Sequence, residues 1–298
     1  MKLLGKYRNG NYNVLIYENG TKIRFNDLDN LTPSFAESYD ISVTERCDGN
    51  CQWCYLGCNE QGKHGNLNLP FFNTLHPYTE IAINGNDLSH PDLEDFLIRM
   101  KDQKVISNMT VNQKHFERHY NKIKDWQDRG LLHGIGVSLV NSKTLDLKEM
   151  KNVVVHTIAG LLTEEDINKL KNRGVKLLIL GYKILGRGDE YYYKNKERIE
   201  SNIKWLSHNI MNIQEWFDVI SFDNLSLEQL NMKSKIDPKL WQTIYMGDEG
   251  EFTYFIDAVN EYFALSSLEL ENHFPLMDDV DDMFRFLRNV DRKKQVQD

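Results

Sequence analysis

The spacing of apolar and polar positions divides the chain into a short β start, a long β–α alternation and a mixed tail. Residues 13–17 and 21–25 are β-prone runs on either side of Glu18-Asn19-Gly20. Asn-Gly between two such runs signals a hairpin, because both residues tolerate positive φ. Residues 38–43 predict a further strand. Beyond it, strands are expected at 80–84, 105–111, 134–140, 153–158 and 176–182. Helices are expected between them at 92–103, 113–129, 143–151 and 164–173, with a long one from 190 to about 208. Thr163 followed by Glu164, Glu165 and Asp166 makes an N-cap with acids in the first turn, and Gly174 suits a helix end.

Counting the strand at 38–43, the alternation amounts to six β–α units. Strands separated by helices imply a parallel sheet with helical crossovers. Apolar runs such as Val153-Val154-Val155 and Leu177-Leu178-Ile179-Leu180 are typical of strands covered on both faces. Six units suit either a partial barrel or an open doubly wound sheet, and the pattern alone leaves both open. The tail predicts a strand at 217–222, a second hairpin from 252–258 and 262–266, and an amphipathic helix over 278–290. That helix places Val280, Met283, Phe284, Leu287 and Val290 on one face. The acids Asp278, Asp279, Asp281 and Asp282 at its start complement the helix dipole. The expected organisation is an N-terminal β extension over 1–37, an α/β core over 38–210 and a C-terminal α/β cap over 211–298.

Composition changes this picture little. With 298 residues, 41% hydrophobic and 27% charged, the chain has an ordinary globular make-up. No run approaches the ~18 apolar residues of a membrane span. The opening Met1-Lys2-Leu3-Leu4 has too short an apolar stretch for a secretion signal. A cytoplasmic protein without a membrane partner is expected. Lys and Arg total 36 against 44 Asp and Glu, a net charge of −8. That balance disfavours gripping nucleic-acid backbone, which runs on phosphate neutralisation, and the basic cluster at 292–294 is too short to reverse it.

The cysteines carry the chemistry. All four lie together, at Cys47, Cys51, Cys54 and Cys58. A disulfide scaffold spreads its cysteines to close long loops, whereas a tight cluster in a cytosolic chain marks metal or redox chemistry. Their offsets would align them on one helix face as buried thiols, but Gly49, Asn50 and Gly57 are poor helix formers and Asp48-Gly49 reads as a turn. Structural zinc sites usually pair two short knuckles across a longer spacer, and four ligands this close would crowd one tetrahedral ion. An iron–sulfur cubane is larger and accepts short spacings.

Cys47-x3-Cys51-x2-Cys54, at the end of the first core strand and with Trp53 just before the third cysteine, resembles the motif of the radical S-adenosylmethionine (radical SAM) superfamily. The resemblance implies a partial (β/α)6 barrel over roughly 38–210. It implies that the three thiolates hold a 4Fe–4S cluster whose fourth iron takes the amino and carboxylate groups of S-adenosylmethionine. One electron, from a reductase or a flavodoxin- or ferredoxin-type donor, would cleave the sulfonium C–S bond. The products are methionine and a 5′-deoxyadenosyl radical that abstracts hydrogen from a substrate. Trp53 would pack near the cluster and the adenine. Asn84-Gly85-Asn86 stands where most relatives carry Gly-Gly-Glu and where backbone groups take the methionine ammonium. Asn112, in Thr110-Val111-Asn112, and Ser138, in Gly136-Val137-Ser138, resemble positions that surround S-adenosylmethionine. Cys58 falls outside the motif and is expected to be a buried thiol in the turn after Gly57, with a rescue ligand or a redox-active thiol as the alternatives. No cysteines remain for a second thiolate-bound cluster. The alternative reading, from a different class, is a non-catalytic module in which zinc or a cluster holds the loop for a partner.

Other residues are weighed against plainer roles. His115 and His119 share a helix face, but Glu117 is misplaced for a zinc protease, so an exposed face is expected. The loop from Gly181 to Gly188 resembles a phosphate loop without its Gly-Lys-Ser/Thr. Arg187 within it is a candidate for binding an anionic substrate, with a simple flexible turn as the equal alternative. Asp223 and Asn224 follow a strand, at the edge that faces the site in barrels, and are further substrate candidates. His156 either points into the barrel mouth or is a hydrogen-bonded core histidine. The substrate itself is not identified by any of these residues.

Overall fold

The computed structural model describes residues 2–28, 30–269 and 271–295, and the side chains from 291 onward, with the basic cluster at 292–294, lie outside it. The chain begins with a three-stranded antiparallel sheet of β1 (Leu3–Asn9), β2 (Tyr12–Tyr17) and β3 (Lys22–Phe25). The expected hairpin joins β2 to β3, with Gly20 at φ +86. Strand β1 was not expected. Its residues do not alternate cleanly, and its register with β2 slips between Leu3 and Gly5, where Gly5 lies bare against the Tyr78 ring.

The second sheet has ten strands. Seven are parallel neighbours in chain order: β4 (Ser38–Ser42), β5 (Glu80–Asn86), β6 (Ile106–Asn112), β7 (Gly134–Ser138), β8 (Val153–Ile158), β9 (Lys176–Leu180) and β10 (Val219–Phe222). On the other side of β4, β11 (Thr253–Asp257) pairs parallel, and β12 (Tyr262–Ala264) and β13 (His273–Pro275) continue antiparallel. The order from β4 to β10 never reverses, so this run of strands has no switch point of the doubly wound kind. Crossovers of one hand in an unreversed order put their helices on one face. The crossover helices are α1 (Leu93–Asp102), α2 (Gln113–Arg118), α3 (Tyr120–Asp128), α4 (Glu164–Leu170) and α5 (Arg187–Ile213). Phe96, Leu97, Phe116, Trp126, Ile167 and Leu206 from these helices share one core with Ile81, Ile83, Met109, Val137, Val155 and Leu177 from the strands.

Side chains alternate along a strand, so the intervening positions belong to the opposite face. There the residues include Asp40, Asn84, Asn108, Thr110, Ser138 and His156, with Ala82, Val154, Leu178 and Leu180 among them, a mixed polar and apolar face. That face is the inside of a curl. Lys183, just past β9, donates to the Ser267 hydroxyl, just past β12, at 2.9 Å. Seven strand steps separate β9 from β12, which in a flat sheet is about 34 Å. Asp40 keeps accessible surface, yet the protein around it raises its carboxyl above the ordinary range, opposed by Lys183 and aided by Asp223. A side chain lining a hollow behaves in this way.

In the tail, expected as a C-terminal α/β cap, the strands β10 to β13 pair into the main sheet. Its helices are α6 (Asn224–Gln229), α7 (Pro238–Ile244) and α8 (Val280–Gln295), of which only α8 was expected. Helix α8 buries Val280, Met283, Phe284 and Leu287, and Asp279 accepts from the Asp281 N–H at 2.8 Å at its start. The capping box at Thr163 and Asp166 forms as expected. The helix expected at 143–151 does not form. Asn141 and Asp146 bond instead to the N–H groups of Lys143 and Lys148, local bonds that compete with a helix. The helix expected over 113–129 is divided at His119, which leaves helical geometry at φ −110, ψ 19. Among the described residues, no helix is long and apolar enough to cross a membrane.

Candidate functional site

The strands β4 to β10 are parallel, so their C-terminal ends share one edge of the sheet. In α/β folds this edge is where ligands bind. The chain leaving β4 forms an irregular loop that carries all four cysteines. Its base is tied by Gly65 N–H to Val43 O, Glu45 N–H to Lys63 O and Cys47 N–H to Asn59 O, each at 2.9 Å. Within it, Asn50 and Gly57 adopt positive φ and turn the chain. The cysteines are free, with Cys47, Cys51 and Cys54 half-buried and Cys58 buried as expected.

Three elements grip this loop. The first is the end of β5. Asn84 accepts from Val43 N–H and donates to Thr44 O, both at 2.7 Å. Asn86 donates to Thr44 O and Arg46 O, both at 2.9 Å, and to the Cys58 sulfur at 3.5 Å. Asn86 sits at φ +48 beside a register shift with β6, a bulge that re-aims its side chain. Gly85 faces the core, where a Cβ would come within 2.6 Å of Met109 Sδ. The amides of Asn84 and Asn86 thus fasten the root of the cysteine loop.

The second element is α2, and here the sequence expectation is corrected. His115 was expected on an exposed face but is only 1% exposed, because α2 lies against the loop. Its Nε2 is 2.5 Å from Asp48 Oδ1, and Arg118 donates to Asp48 Oδ2 at 2.5 Å. The third is the start of α5. Arg187 was a candidate for an anionic substrate. Instead its Nε, Nη1 and Nη2 donate to the carbonyls of Cys51, Gly57 and Cys58 at 2.9, 3.0 and 2.8 Å.

The thiols surround bare backbone. A Cβ on Gly49 would stand 3.3 Å from Cys47 Sγ, 3.9 Å from Cys51 Sγ and 3.2 Å from His115 Cε1. Gly49 N–H donates to the Cys47 sulfur and Asn112 Nδ2 to the Cys51 sulfur, each at 3.4 Å. Beside Cys51 opens a cavity of about 280 Å³, lined by Gly49, Trp53, Asn112, Lys114 and Val140 among others. Trp53 meets the Tyr191 ring edge-on at 5.7 Å. Ser138 ends β7, in register with Asn112 on β6 and His156 on β8. The His156 ring lies over Gly136, where a Cβ would come within 2.3 Å of its Cε1, and burial lowers its pKa to about 4. Of the two alternatives for His156, its place on the inner face of the curl supports the first.

The other substrate candidates are engaged locally. Asp223 Oδ1 accepts from Gly181 N–H and Ser226 N–H, both at 2.8 Å, and so caps α6. Asn224 Nδ2 lies 3.5 Å from Gly247 O.

No protein-family model matches the chain, and no curated protein matches it. Among the described residues, no three His, Cys, Asp or Glu side chains are drawn together as a site for a metal ion. The donor set itself suits a thiolate-bound group. Three reduced thiols share one loop, two of them flank a glycine without a side chain, and N–H donors of the kind that tune such sites are aimed at their sulfurs. Burial pushes the Cys47 thiol up to about 11 and raises Cys51 as well. The interaction between the Cys54 and Cys58 thiols lowers the pKa of Cys54 and raises that of Cys58. At Cys47 and Cys51 a bare thiolate is costly, and a bound cation offsets that cost.

Sequence reasoning missed the His115–Asp48 pair and the carbonyl partners of Arg187. A signal for the first was the position of His115 three residues past a strand end, on the loop side. A signal for the second was the pair of glycines around Arg187, since paired glycines mark close backbone approach.

Proposed function

We propose that this chain is a radical SAM enzyme built on a partial (β/α)6 barrel of that type. Cys47, Cys51 and Cys54 would ligate a 4Fe–4S cluster, and S-adenosylmethionine would bind beside it. The observation that carries the reading is one of place. The three thiols, Trp53, Asn112 and Ser138 lie at the C-terminal edge of a run of parallel strands that curls around a hollow with polar residues on its wall. When bound, the cluster supplies the electron that cleaves the sulfonium C–S bond to methionine and a 5′-deoxyadenosyl radical.

The chain's own residues do the rest. Gly49 N–H and Asn112 Nδ2 hold the sulfurs of Cys47 and Cys51 in place. Trp53, backed by Tyr191, walls the cavity beside Cys51 and limits water there. Lys114 places a cation on the cavity wall, suited to a carboxylate. His156 is neutral at physiological pH, so it lines the hollow without charge and donates or accepts a hydrogen bond there. The enzyme would work in the cytoplasm with a reductase or a flavodoxin- or ferredoxin-type donor on an unidentified substrate.

The test is anaerobic loading with iron and sulfide, read as iron per chain and as absorbance near roughly 400 nm. The wild type is expected to turn brown and Cys51→Ala to stay at background. A colourless protein that takes up zinc one-to-one would support the non-catalytic metal module instead.

A further inference from the structure

We propose that Gly186-Arg187-Gly188 is a latch that docks α5 onto the cysteine loop. In it Arg187 is the positioning residue that shapes the thiol cradle and sets the electron affinity of the group held there. The docking rests on contacts within the chain alone, and the effect on electron affinity rests on the cluster reading above.

Three consecutive residues touch the loop. Gly186 adopts φ +54, and a Cβ there would stand 2.3 Å from Tyr55 O and 3.0 Å from Cys54 O. Arg187 N–H donates to Cys54 O at 3.1 Å. A Cβ on Gly188 would stand 3.3 Å from Trp53 O and 2.7 Å from Lys183 O. Both glycines therefore allow main chain to approach main chain where any side chain would intrude. A resting place for substrate phosphate would leave these groups open, yet here they are closed against protein.

The guanidinium explains why the arc from Cys51 to Cys58 keeps its shape. Irregular backbone has no ladder of its own, so its carbonyls need other donors. Arg187 satisfies Cys51 O at one end of the arc and Gly57 O and Cys58 O at the other. A planar fork with several fixed donors reaches three acceptors spread along the arc, whereas a lysine ammonium holds its three donors at a single point. Cys54, the central thiol, is carried on the arc so closed. The same guanidinium is a permanent positive charge within electrostatic reach of the Cys51 and Cys54 sulfurs. A fixed cation favours the more negative, reduced state of a thiolate-bound centre, since net local charge is a lever on such potentials. Shape and charge are thus separable contributions of one side chain.

The experiment uses the full chain with Arg187→Lys, Arg187→Gln and Gly188→Ala. Hydrogen exchange of the segment 47–58 is measured in the metal-free protein. Iron and sulfide content and the midpoint potential, from an EPR-monitored titration, are measured after loading. Both Arg187 variants are expected to exchange at least tenfold faster within 47–58 while β5 to β8 stay protected. Arg187→Lys should load several-fold less cluster, and the fraction it holds should keep the wild-type potential. Arg187→Gln should move the potential to more negative values. Unchanged exchange in both Arg187 variants would overturn the latch, and one common potential for the wild type, Arg187→Lys and Arg187→Gln would overturn the charge effect. If the Arg187 variants do not fold, Gly188→Ala decides, with faster exchange in 47–58 supporting the latch and wild-type exchange refuting it. If no protein takes up iron, the cluster reading and the charge effect fall together, while the exchange data still decide the docking.

Discussion

Strands β4 and β5 begin and end in opposite kinds of surroundings. Where they begin, Glu37 and Glu80 meet Lys22 and Arg24 from the N-terminal sheet. Lys22 Nζ lies 3.3 Å from Glu37 and 2.8 Å from Glu80, and Arg24 Nε lies 2.9 Å from Glu37. Tyr12 donates to Glu37 as well, at 2.5 Å, and Glu37 is 0% exposed. Burial pushes the Glu37 carboxyl up, but the Arg24 hydrogen bonds and the Lys22 and Arg24 charges outweigh it and hold the carboxyl low. Where the same strands end, the gripping groups are the neutral amides of Asn84 and Asn86, and the half-buried groups are thiols. One end is a closed set of paired charges. The other is a shaped loop whose half-buried sulfurs feel the Arg187 and Lys114 charges at a distance. The same two strands thus anchor the fold at one edge and hold the reactive groups at the other, which is the usual division between the two edges of barrel-like sheets.

The sharpest way to break that comparison is to exchange what each end loses. Cys54→Ala should remove bound iron entirely while changing the stability of the metal-free protein by less than about 1 kcal/mol, because the thiol is only half-buried. Iron analysis and urea unfolding of the same preparation check both halves. Glu37→Gln should do the reverse. It leaves Lys22 and Arg24 without their shared carboxylate, a loss of about 3–5 kcal/mol for a buried pair. Its iron uptake at low temperature should match the wild type, and a variant that unfolds normally but no longer loads would erase the distinction between the two ends.

A smaller effect concerns the hollow between them. His156 has a folded pKa of about 4, against ~6.5 in an unfolded chain. Between those values the unfolded state takes the proton first. Stability is therefore full above the unfolded value and is lost as pH falls through this window, by about 3 kcal/mol at most. Glu37 is held low and adds loss only as pH falls below its own unfolded value of ~4.3. Urea unfolding from pH 7 to 4.5 should show the His156 loss in the wild type and a flatter profile in His156→Gln. Parallel profiles would place His156 outside any buried position.

The main-sheet strands up to β10 were legible because most units repeat a local pattern, an apolar strand and then a periodic helix. The cysteine loop was legible because its spacing is local too. What was not legible depends on partners far along the chain or on main-chain groups. The hairpin of β11 and β12 was legible from its two runs, but β11 joins β4 across more than 200 residues, and no pattern within 253–275 encodes that neighbour. Arg187 was seen as a cation near the site, but its partners are carbonyls, which carry no residue identity. His115 was misplaced because helical spacing says which residues share a face and not what covers that face. The expected helix at 143–151 failed for a local reason that propensity alone underweights, the Asn141 and Asp146 side chains bonding to backbone.

The most direct measurement is 5′-deoxyadenosine formed anaerobically by the loaded, reduced protein given S-adenosylmethionine, beside a Cys54→Ala control. The account predicts product from the wild type and none above background from the variant. A fully loaded, reducible wild-type protein that forms no more 5′-deoxyadenosine than Cys54→Ala would contradict it.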